Sequence, residues 1–444
     1  MKNANRERVL EEIKKQGVRF IQLCFTDILG FLKSFTITPE KLKSVLEEGF
    51  GFDGSSIEGF VRIEESDMIA MPDPSAFFIS SQNSSEAGKI AMIFCDILEP
   101  DGAPYPGYPR YILKKNLKKA SKLGYTFYVG PELEYFYFHS PQIPPKGLDK
   151  GGYFDLTPPD AASNIRNQTV FTLEKMGIEV ECSHHEAASS QQEIDLKYTD
   201  ALTIADNIMI SRLIIKEIAL KNNLYATFMP KPVYEENGSG LHIHQSLFKG
   251  EKNVFFDPQN KHYLSEIAKR YIAGLLKHIC EFTLITNQWV NSYKRLVPGY
   301  EAPVYLSWAF KNRSDLIRIP GYNPGKEDGV RIELRSPDPA CNPYLAFAAM
   351  LSAGLEGIEK KYSLAEPINR NVYKMDEEER KKAGITHLPE NLWEAIKIAE
   401  KSDWLKKTLG EHLFFKLIEN KKMEWENYRS QVTSYELKKY FSLL

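Results

Sequence analysis

The sequence is poor in cysteine and contains no long apolar run. Its five cysteines are scattered and odd in number, which favours a reducing compartment over a framework of disulfide bonds. No pair of them has the spacing of a zinc site. No apolar run approaches membrane-spanning length, and the charged helical pattern at the N-terminus lacks the apolar core of a signal peptide. These absences predict a cytoplasmic protein.

An excess of charge of either sign is also missing. The 57 basic and 59 acidic residues give a net charge of −2, which indicates neither a nucleic-acid partner nor an anionic membrane. The composition, 43% hydrophobic and 26% charged, is that of an ordinary globular protein. At 444 residues the chain exceeds one typical domain, so two domains are expected.

A cluster of proline and glycine predicts where these domains meet. The run Glu99–Gly107 breaks both helical and strand periodicity, so we expect domains over residues 1–103 and 104–444. Before it, a helix near residues 5–16, a hairpin over residues 18–37 and a helix from Pro39 to near Gly49 predict a small α+β domain. After it, strands mix with helical patterns over Pro109–Leu123, Asp160–Lys175, Asp200–Asn222, Tyr263–Thr283, Pro343–Lys361 and Leu392 to near Tyr440.

The stretch Gly130–Phe138 carries the most informative pattern of the chain. Its aromatic residues and its alternation are typical of a β-strand, in which side chains two residues apart share a face. Glu132 and Glu134 therefore lie side by side, and two carboxylates this close do not both stay ionised without a compensating cation. Taken alone, the pair fits a solvated strand face slightly better than a divalent-metal site.

Two further segments repeat the pattern. In Gly238–Gln245, apolar residues alternate with His242 and His244, and in Arg331–Arg335 they alternate with Glu333 and two arginines. Further potential ligands stand in Ser183–Glu186 and in Gln191–Asp195. Strands that each have one apolar face and one charged face predict the walls of a single polar cavity.

Seven sequence blocks extend this pattern along the chain. They are Phe52–Ser56, Pro131–Glu134, His185–Glu186, Asn237–His242, Asn291–Leu296, Asn312–Ser314 and Arg331–Arg335. In this order and at this spacing they make the chain resemble the type I glutamine synthetases of bacteria and archaea over nearly its whole length. The length of the chain fits the shorter alpha subdivision of that type.

The resemblance implies a fold, an activity and an assembly. The fold is α+β, with a small β-grasp domain followed by a catalytic domain of the glutamine synthetase/guanido kinase-like class, whose curved antiparallel sheet is surrounded by helices. The activity is ATP-dependent ligation of ammonium to the γ-carboxylate of L-glutamate through γ-glutamyl phosphate, the reaction of nitrogen assimilation. Family members are homo-dodecamers of two hexameric rings, with each active site between one catalytic domain and the neighbour's N-terminal domain.

The resemblance also implies two divalent ions in each site, with ATP bound as substrate. Oxygen ligands suit Mg²⁺ or Mn²⁺, and a single imidazole tilts the preference only mildly toward Mn²⁺. Without the family blocks, His242 would be interpreted as a buried structural histidine. By position, Glu134, Glu186 and Glu193 hold one ion, and Glu132, His242 and Glu333 hold the other, nearer ATP.

The remaining site residues follow from the same resemblance. Arginine suits such a site because its planar fork binds phosphate or carboxylate through paired hydrogen bonds. The residues assigned to ATP are Glu181, His244, Ser246, Arg313 and Arg318, and those assigned to glutamate are Asn237, Gly238, Arg295, Glu301 and Arg335. His244 is not expected to ligate a metal; its backbone or the adjacent Ser246 is expected near the nucleotide.

The same resemblance assigns catalytic roles to Asp53, Glu301 and Arg318, the last acting on the transferring phosphoryl group, and a regulatory role to Arg62. Asp53 accepts a proton from ammonium and reaches the neighbour's active site, although an Asp-Gly-Ser sequence alone indicates only a turn. Glu301 lies on a loop flanked by glycine and proline that closes over the labile intermediate. Arg62 stands where the alpha subdivision senses glutamine as a feedback inhibitor.

Other functions stay open at this point. A ligase of the same fold could join glutamate to a polyamine or another amine, although Asp53 argues against it. An inactive homologue could serve as a structural or nitrogen-sensing protein, and the six metal ligands together with Arg318 argue against that. Binding to a nitrogen-regulatory protein is compatible with either activity. A metal-dependent hydrolase or kinase would also use carboxylates, but the ordered arginine and glycine blocks do not suggest one.

Overall fold

The computed structural model describes residues 2–55, 57, 59, 67–80, 88–312, 314–322, 324–368 and 370–444. Two separate β-sheets organise these residues. No helix among them combines the length and the apolar composition that crossing a lipid bilayer requires.

The first sheet belongs to the N-terminal part of the chain. Its elements are α1 (Lys2–Gln16), β1 (Val18–Thr26), β2 (Leu32–Ile37), α2 (Pro39–Glu48), β3 (Phe50–Asp53), β4 (Asp67–Ile79) and β5 (Lys89–Leu98). The strand order is β2-β1-β5-β4-β3, and the neighbours are antiparallel except for the parallel pair β1–β5.

Alternation along β1 explains how this sheet holds its helices. Ile21 and Phe25 are buried and share a core with Leu42 of α2. The helix α2 begins at Pro39, whose fixed φ suits the first helical turn, and stops at Gly49, which has a φ of 80°. The predicted hairpin and short helix are confirmed.

The second sheet is larger and lies in the rest of the chain. Its strands are β6 (Thr126–Phe138), β7 (Val180–His185), β8 (Gln191–Leu196), β9 (Thr199–Asp200), β10 (Tyr225–Thr227), β11 (Leu241–Lys249), β12 (Lys252–Asn253), β13 (Trp308–Phe310), β14 (Ile317–Ile319) and β15 (Ile332–Leu334). The main path is β13-β14-β15-β11-β6-β8-β7. The predicted antiparallel sheet is confirmed, with one parallel pair, β13–β14, at its edge.

The described residues of this part of the chain also form eleven α-helices. They are α3 (Pro109–Lys122), α4 (Ser163–Lys175), α5 (Ala201–Lys221), α6 (Glu266–Thr286), α7 (Ser292–Arg295), α8 (Pro343–Glu359), α9 (Glu377–Lys382), α10 (Leu392–Glu400), α11 (Asp403–Leu409), α12 (Glu411–Arg429) and α13 (Ser434–Tyr440). α6 starts three residues later than the pattern predicts because the side chain of Ser265 caps it, accepting a hydrogen bond from the Ala268 amide.

The prediction of one helical pattern from Leu392 to near Tyr440 is wrong. The segment divides into α10, α11, α12 and α13. Gly410 has a φ of 85°, which a right-handed helix does not allow, and it separates α11 from α12. The side chains of Ser402 and Thr433 cap the helices that follow them, so each marks a new start. Apolar periodicity continues across these breaks, which is why it did not reveal them.

A buried arginine joins the two sheets. Arg110 on α3 donates two hydrogen bonds to Asp206 on α5, at 2.9 and 3.0 Å, and its side chain is 1% exposed. It also reaches Asp73 on β4 and Asp96 on β5 at 3.0 and 2.9 Å. Burial alone would raise the pKa of the Asp73 carboxyl, but Arg110 holds that pKa well below its usual range. One guanidinium therefore neutralises carboxylates from both parts of the chain.

We expect Arg110→Met to destabilise the protein strongly, because the substitution leaves three carboxylates close together with one cation fewer. Breaking a buried ion pair by removing one partner costs about 3–5 kcal/mol of unfolding free energy. Urea unfolding, followed by tryptophan fluorescence at a fixed protein concentration, measures this loss.

The matched control is Lys118→Met, which removes an exposed cation from the same helix. Its effect is expected to stay within about 0.5 kcal/mol, as for most surface substitutions. Equal unfolding midpoints for the two variants would contradict a central role for Arg110.

Candidate active site

Rows of directly paired residues cross one face of the second sheet. Paired residues on antiparallel strands point to the same face, as do residues two apart along a strand. The Glu132 row is Cys182–Asp195–Glu132–His242, the Glu134 row is His184–Glu193–Glu134, and the Glu333 row is Gly130–His244–Glu333–Arg318. Residues far apart in sequence are thus gathered on one charged surface, as the alternation predicted.

The opposite face of the same strands is apolar and fully buried. Leu133, Ile194 and Ile243, each next to a charged residue in sequence, are 0% exposed and belong to the main core. Helices α3 and α5 pack against β6 from this side. A slip of one residue in strand pairing would bury the carboxylates and expose this core, so the hydrophobic face fixes the register of the charged one.

Glu132, His242 and Glu333 form a compact group. Their ligand atoms all lie within 4.8 Å of one another. His242 Nδ1 is 2.9 Å from Glu132 Oε2 and 3.9 Å from Glu333 Oε1. Burial, helped by Arg335, lowers the pKa of His242, which favours the neutral imidazole that a metal needs. Two carboxylate oxygens and one imidazole nitrogen are a donor set that fits a divalent cation.

A second group combines His184, Glu186 and Glu193, whose ligand atoms also lie within 4.8 Å of one another. Glu134, which the resemblance adds to this set, lies between the two groups. One of its oxygens is 3.6 Å from His242 Nε2, and the other accepts hydrogen bonds of 2.8 Å from the Gly240 amide and from the Gln191 side chain.

The electrostatics of this face indicate a shortage of positive charge. Burial and the nearby carboxylate of Glu186 raise the pKa of Glu134 to about 8. Burial and the carboxylates around it raise the pKa of Glu193 well above its usual range. Asp195, affected by burial and by Glu193, has a pKa of about 9. Such carboxylates either keep protons or gain cations, so the residues fit divalent metals.

Three arginines bring cationic groups to the same cavity. Arg295 is buried, and its guanidinium donates to the backbone carbonyls of Arg335 and Ser336 at 3.1 and 2.7 Å. Arg335 Nε donates to Glu333 Oε1 at 3.0 Å, and Arg318 donates to the other oxygen of the same carboxylate. The backbone and Glu333 therefore fix the orientation of these side chains before any substrate binds.

The cavity between these groups has a volume of about 650 Å³. Its lining includes Asn237, Gly238 and Glu301, and Asn237 Nδ2 donates to Glu301 Oε2 at 3.3 Å. A side chain at the neighbouring Gly240 would place its Cβ 2.7 Å from Arg295 and 2.8 Å from the ring of His242. The lack of a side chain at Gly240 therefore leaves room for the guanidinium of Arg295 and the imidazole of His242 to lie close together.

A second cavity of about 800 Å³ adjoins the first. It is lined by Glu181, His244 and Ser246, three residues that the sequence assigns to ATP. His244 Nε2 is 2.7 Å from Glu132 Oε1, and its Nδ1 accepts a hydrogen bond of 3.1 Å from Arg331. Both cavities are lined by Glu132, so one carboxylate faces the two volumes.

The other predicted residues lie elsewhere. Asp53, at the end of β3, is exposed, accepts a hydrogen bond of 2.8 Å from the Ser55 amide and lines a separate depression with Asp67. Within the described part of the chain it lines neither large cavity. Arg62 and Arg313 lie outside the described residues.

Sequence reasoning missed some residues that shape this site. Gln191 donates to Glu134, and Arg331 supports His244, yet neither carries an assigned role in the sequence. Cys182 lines both cavities although its spacing from other cysteines suggests no site. The available signal was strand alternation, since Cys182 and His184 stand two apart on one face of β7.

Comparisons with known proteins show the family of this chain. The family profile described as "Glutamine synthetase, catalytic domain" matches residues 106–440, and that described as "Glutamine synthetase, beta-Grasp domain" matches residues 17–100. The chain is 50% identical to the glutamine synthetase of Mycolicibacterium smegmatis over 442 residues, covering 99% of each chain. It is 51% identical to that of Methanosarcina mazei over 449 residues, covering 100% of this chain and 99% of the relative.

Solved structures give the same result. The glutamine synthetase of Plasmodium falciparum, determined by cryo-electron microscopy, superimposes with a TM-score of 0.88 at 29% identity, covering 98% of each chain. A structure described as a GmaS/ADP complex superimposes with a TM-score of 0.88 at 28% identity, covering 98% of this chain and 99% of the other.

We predict that Mg²⁺ or Mn²⁺ raises the melting temperature of the metal-free protein, because the ions neutralise the crowded carboxylates. An ion at 100 times its Kd stabilises by about 2.7 kcal/mol per site. The gain should be larger at pH 8 than at pH 6, because at lower pH the ion must displace the proton that the raised pKa of Glu134 retains. Differential scanning fluorimetry measures both effects.

Glu193→Gln should reduce the metal-induced gain, while Glu179→Gln should keep it. Glu179 is exposed and precedes β7, so it reports any general effect of losing one carboxylate. An equal metal response in both variants would rule out Glu193 as a ligand.

Proposed function

The chain belongs to the glutamine synthetase family and is a glutamate–ammonia ligase, and we propose that the charged face of its second sheet performs the ligation with two divalent cations. The reaction uses ATP to join ammonia to the γ-carboxylate of glutamate. The observation that carries the proposal is the pair of ligand groups on one face, which line one cavity and share Glu132 with the adjoining one.

The proposed ligands are the six residues that the resemblance assigns. Glu134, Glu186 and Glu193 hold one ion, and Glu132, His242 and Glu333 hold the other, with Mg²⁺ or Mn²⁺ favoured by the oxygen-rich sets. When bound, such ions neutralise phosphate oxygens and align the transferred group.

ATP is proposed to occupy the 800 Å³ cavity, where Glu181, His244 and Ser246 form part of the lining. The solved GmaS structure that superimposes on this chain is a complex with ADP, which supports a nucleotide site in this fold. Arg318, at the boundary of the metal groups, is proposed to contact the phosphoryl group as it moves between the cavities. Arg313 is proposed to assist it.

Glutamate is proposed to occupy the 650 Å³ cavity. Arg295 and Arg335 bind carboxylate or phosphate oxygens through paired hydrogen bonds, and Asn237 and Gly238 contact the amino-acid part. The orientation of Arg295 by backbone carbonyls supports this role, because a fixed guanidinium loses less freedom on binding.

Two residues are proposed to act on the labile intermediate. Glu301, exposed at a φ of 56° and beside Asn237, lies on the loop that closes the glutamate cavity and excludes water. Asp53 is proposed to receive a proton from ammonium in the active site of a neighbouring copy. Its distance from the cavities of its own chain supports that arrangement.

We propose the assembly and regulation of the family for this chain. Twelve 50.9 kDa chains, six in each of two rings, have a total mass of about 610 kDa. Mass photometry measures this mass. We also propose that glutamine inhibits the enzyme by feedback through Arg62, that the protein is cytoplasmic and that it contacts nitrogen-regulatory proteins. The domain division at residues 103 and 104 is supported by the family matches, although Tyr105 and Tyr108 pack against the first core.

The substrate assay that tests this function follows ADP release. Glutamate, ATP and Mg²⁺ should release ADP much faster with ammonium than with putrescine or methylamine, because the site is proposed to deprotonate ammonium through Asp53. Preference for an amine would assign the chain to an amine ligase, and no release with any acceptor would indicate an inactive homologue.

Complementation tests whether each active site is shared between chains. Asp53→Ala and Glu193→Gln are each expected to be nearly inactive, yet co-assembled at equal ratio they should recover about a quarter of wild-type sites, since one pairing in four combines two intact halves.

The control co-assembles Glu193→Gln with Glu333→Gln, which both damage the same half. This mixture should stay inactive. Equal activity of the two mixtures would place Asp53 outside a shared site.

A further inference from the structure

A third group of ligand atoms lies beside the two catalytic groups and has a different chemistry. Cys182 Sγ, a ring nitrogen of His184 and a carboxylate oxygen of Asp195 all lie within 4.8 Å of one another. The group contains sulfur, which the glutamate-rich groups lack. Cys182 and Asp195 line both cavities.

Strand pairing brings these side chains together. Cys182 on β7 is directly opposite Asp195 on β8, and His184 is two residues along the same face of β7. The pairing register shifts between Val180 and Cys182, and such bulges re-aim side chains beside functional sites. The group is thus held by the sheet and not by a mobile loop.

His184 and Asp195 each have an identifiable ligand atom. His184 Nδ1 is 3.0 Å from the carbonyl oxygen of His185, which only accepts, so Nδ1 donates there and Nε2 is the ring nitrogen left for a metal. Nε2 lies 3.0 Å from Glu193 Oε1. Oδ1 of Asp195 is buried, and within the described ranges it has no hydrogen-bond partner.

We propose that Cys182, His184 and Asp195 bind a zinc-class divalent ion, separate from the magnesium or manganese of the reaction. Thiolate and imidazole favour zinc over magnesium. Ligand atoms in a tetrahedral zinc site are roughly 3.3–3.8 Å apart, so a small inward movement of these side chains completes the geometry. The Cys182 thiol loses its proton to solvent as the Zn–S bond forms, and water takes the fourth position.

The position of this site predicts that its ion inhibits the enzyme. The ion engages His184, which neighbours Glu186 and Glu193, and it adds positive charge next to the catalytic set. The inhibition rests on the proposed function, whereas binding of the ion does not. The two are therefore measured separately.

Cobalt(II) serves as the spectroscopic probe of binding, because a Co–thiolate bond gives a charge-transfer band in the near ultraviolet. With the full chain in saturating Mg²⁺, the band should appear on addition of Co²⁺ and disappear when Zn²⁺ displaces it. It should be absent in Cys182→Ala and retained in Cys280→Ala, the matched cysteine control on α6. No band in the wild type, or a band that persists in Cys182→Ala, would overturn the site.

Inhibition is tested by zinc titration of ADP release in the same Mg²⁺ buffer, with each protein referred to its own rate without zinc. Cys182→Ala should need at least about tenfold more Zn²⁺ for half inhibition than Cys280→Ala. Loss of a residue that only hydrogen-bonds to a metal ligand already lowers metal affinity about 10–100-fold, and loss of a ligand should cost at least as much. Equal sensitivity would reject inhibition through Cys182. A cobalt band in a protein that makes no glutamine would leave the site standing and reject the proposed function.

Discussion

The concentration of carboxylates on one face of the second sheet is the constraint on which this structure depends. Glu132, Glu134 and Glu193 lie on adjacent strands, and the burial of Glu134 and Glu193 keeps water from screening their repulsion. Among the described residues, Arg318 and Arg335 both contact Glu333 and so are already engaged by one carboxylate. We propose that divalent ions supply the missing positive charge and that the same ions attract the phosphates of ATP.

Stability comes from the other side of the same strands. The apolar face of β6 packs on α3 and α5, and the apolar residues of β8 and β11 belong to the same core. The register that this packing enforces also sets the charged rows. Arg110 connects this helical layer to the first sheet, because its guanidinium donates hydrogen bonds to Asp73 on β4 and to Asp206 on α5. The protein tolerates the repulsion among the carboxylates of the site because the surrounding core is large and continuous.

Much of the fold and the core of the site could be predicted from the sequence. Period-two alternation identified the charged faces around Glu132, His242 and Glu333. The ATP and glutamate assignments came from the family blocks and stay predictions. Which residues face each other across strands could not be predicted, because pairing partners such as Cys182 and Asp195 are set by tertiary register. The breaks at Ser402 and Gly410 were hidden because apolar periodicity continues across them. The proposed role of Asp53 in a neighbouring active site depends on a second copy of the chain, which no single sequence positions.

The most direct test of this account is the anomalous scattering of manganese in a crystal of the protein grown with excess Mn²⁺. The account predicts two strong anomalous peaks in each chain, one among Glu132, His242 and Glu333 and one beside Glu186 and Glu193. Absence of both peaks, with the carboxylates balanced by protein cations alone, would contradict the claim that this face exists to hold divalent ions.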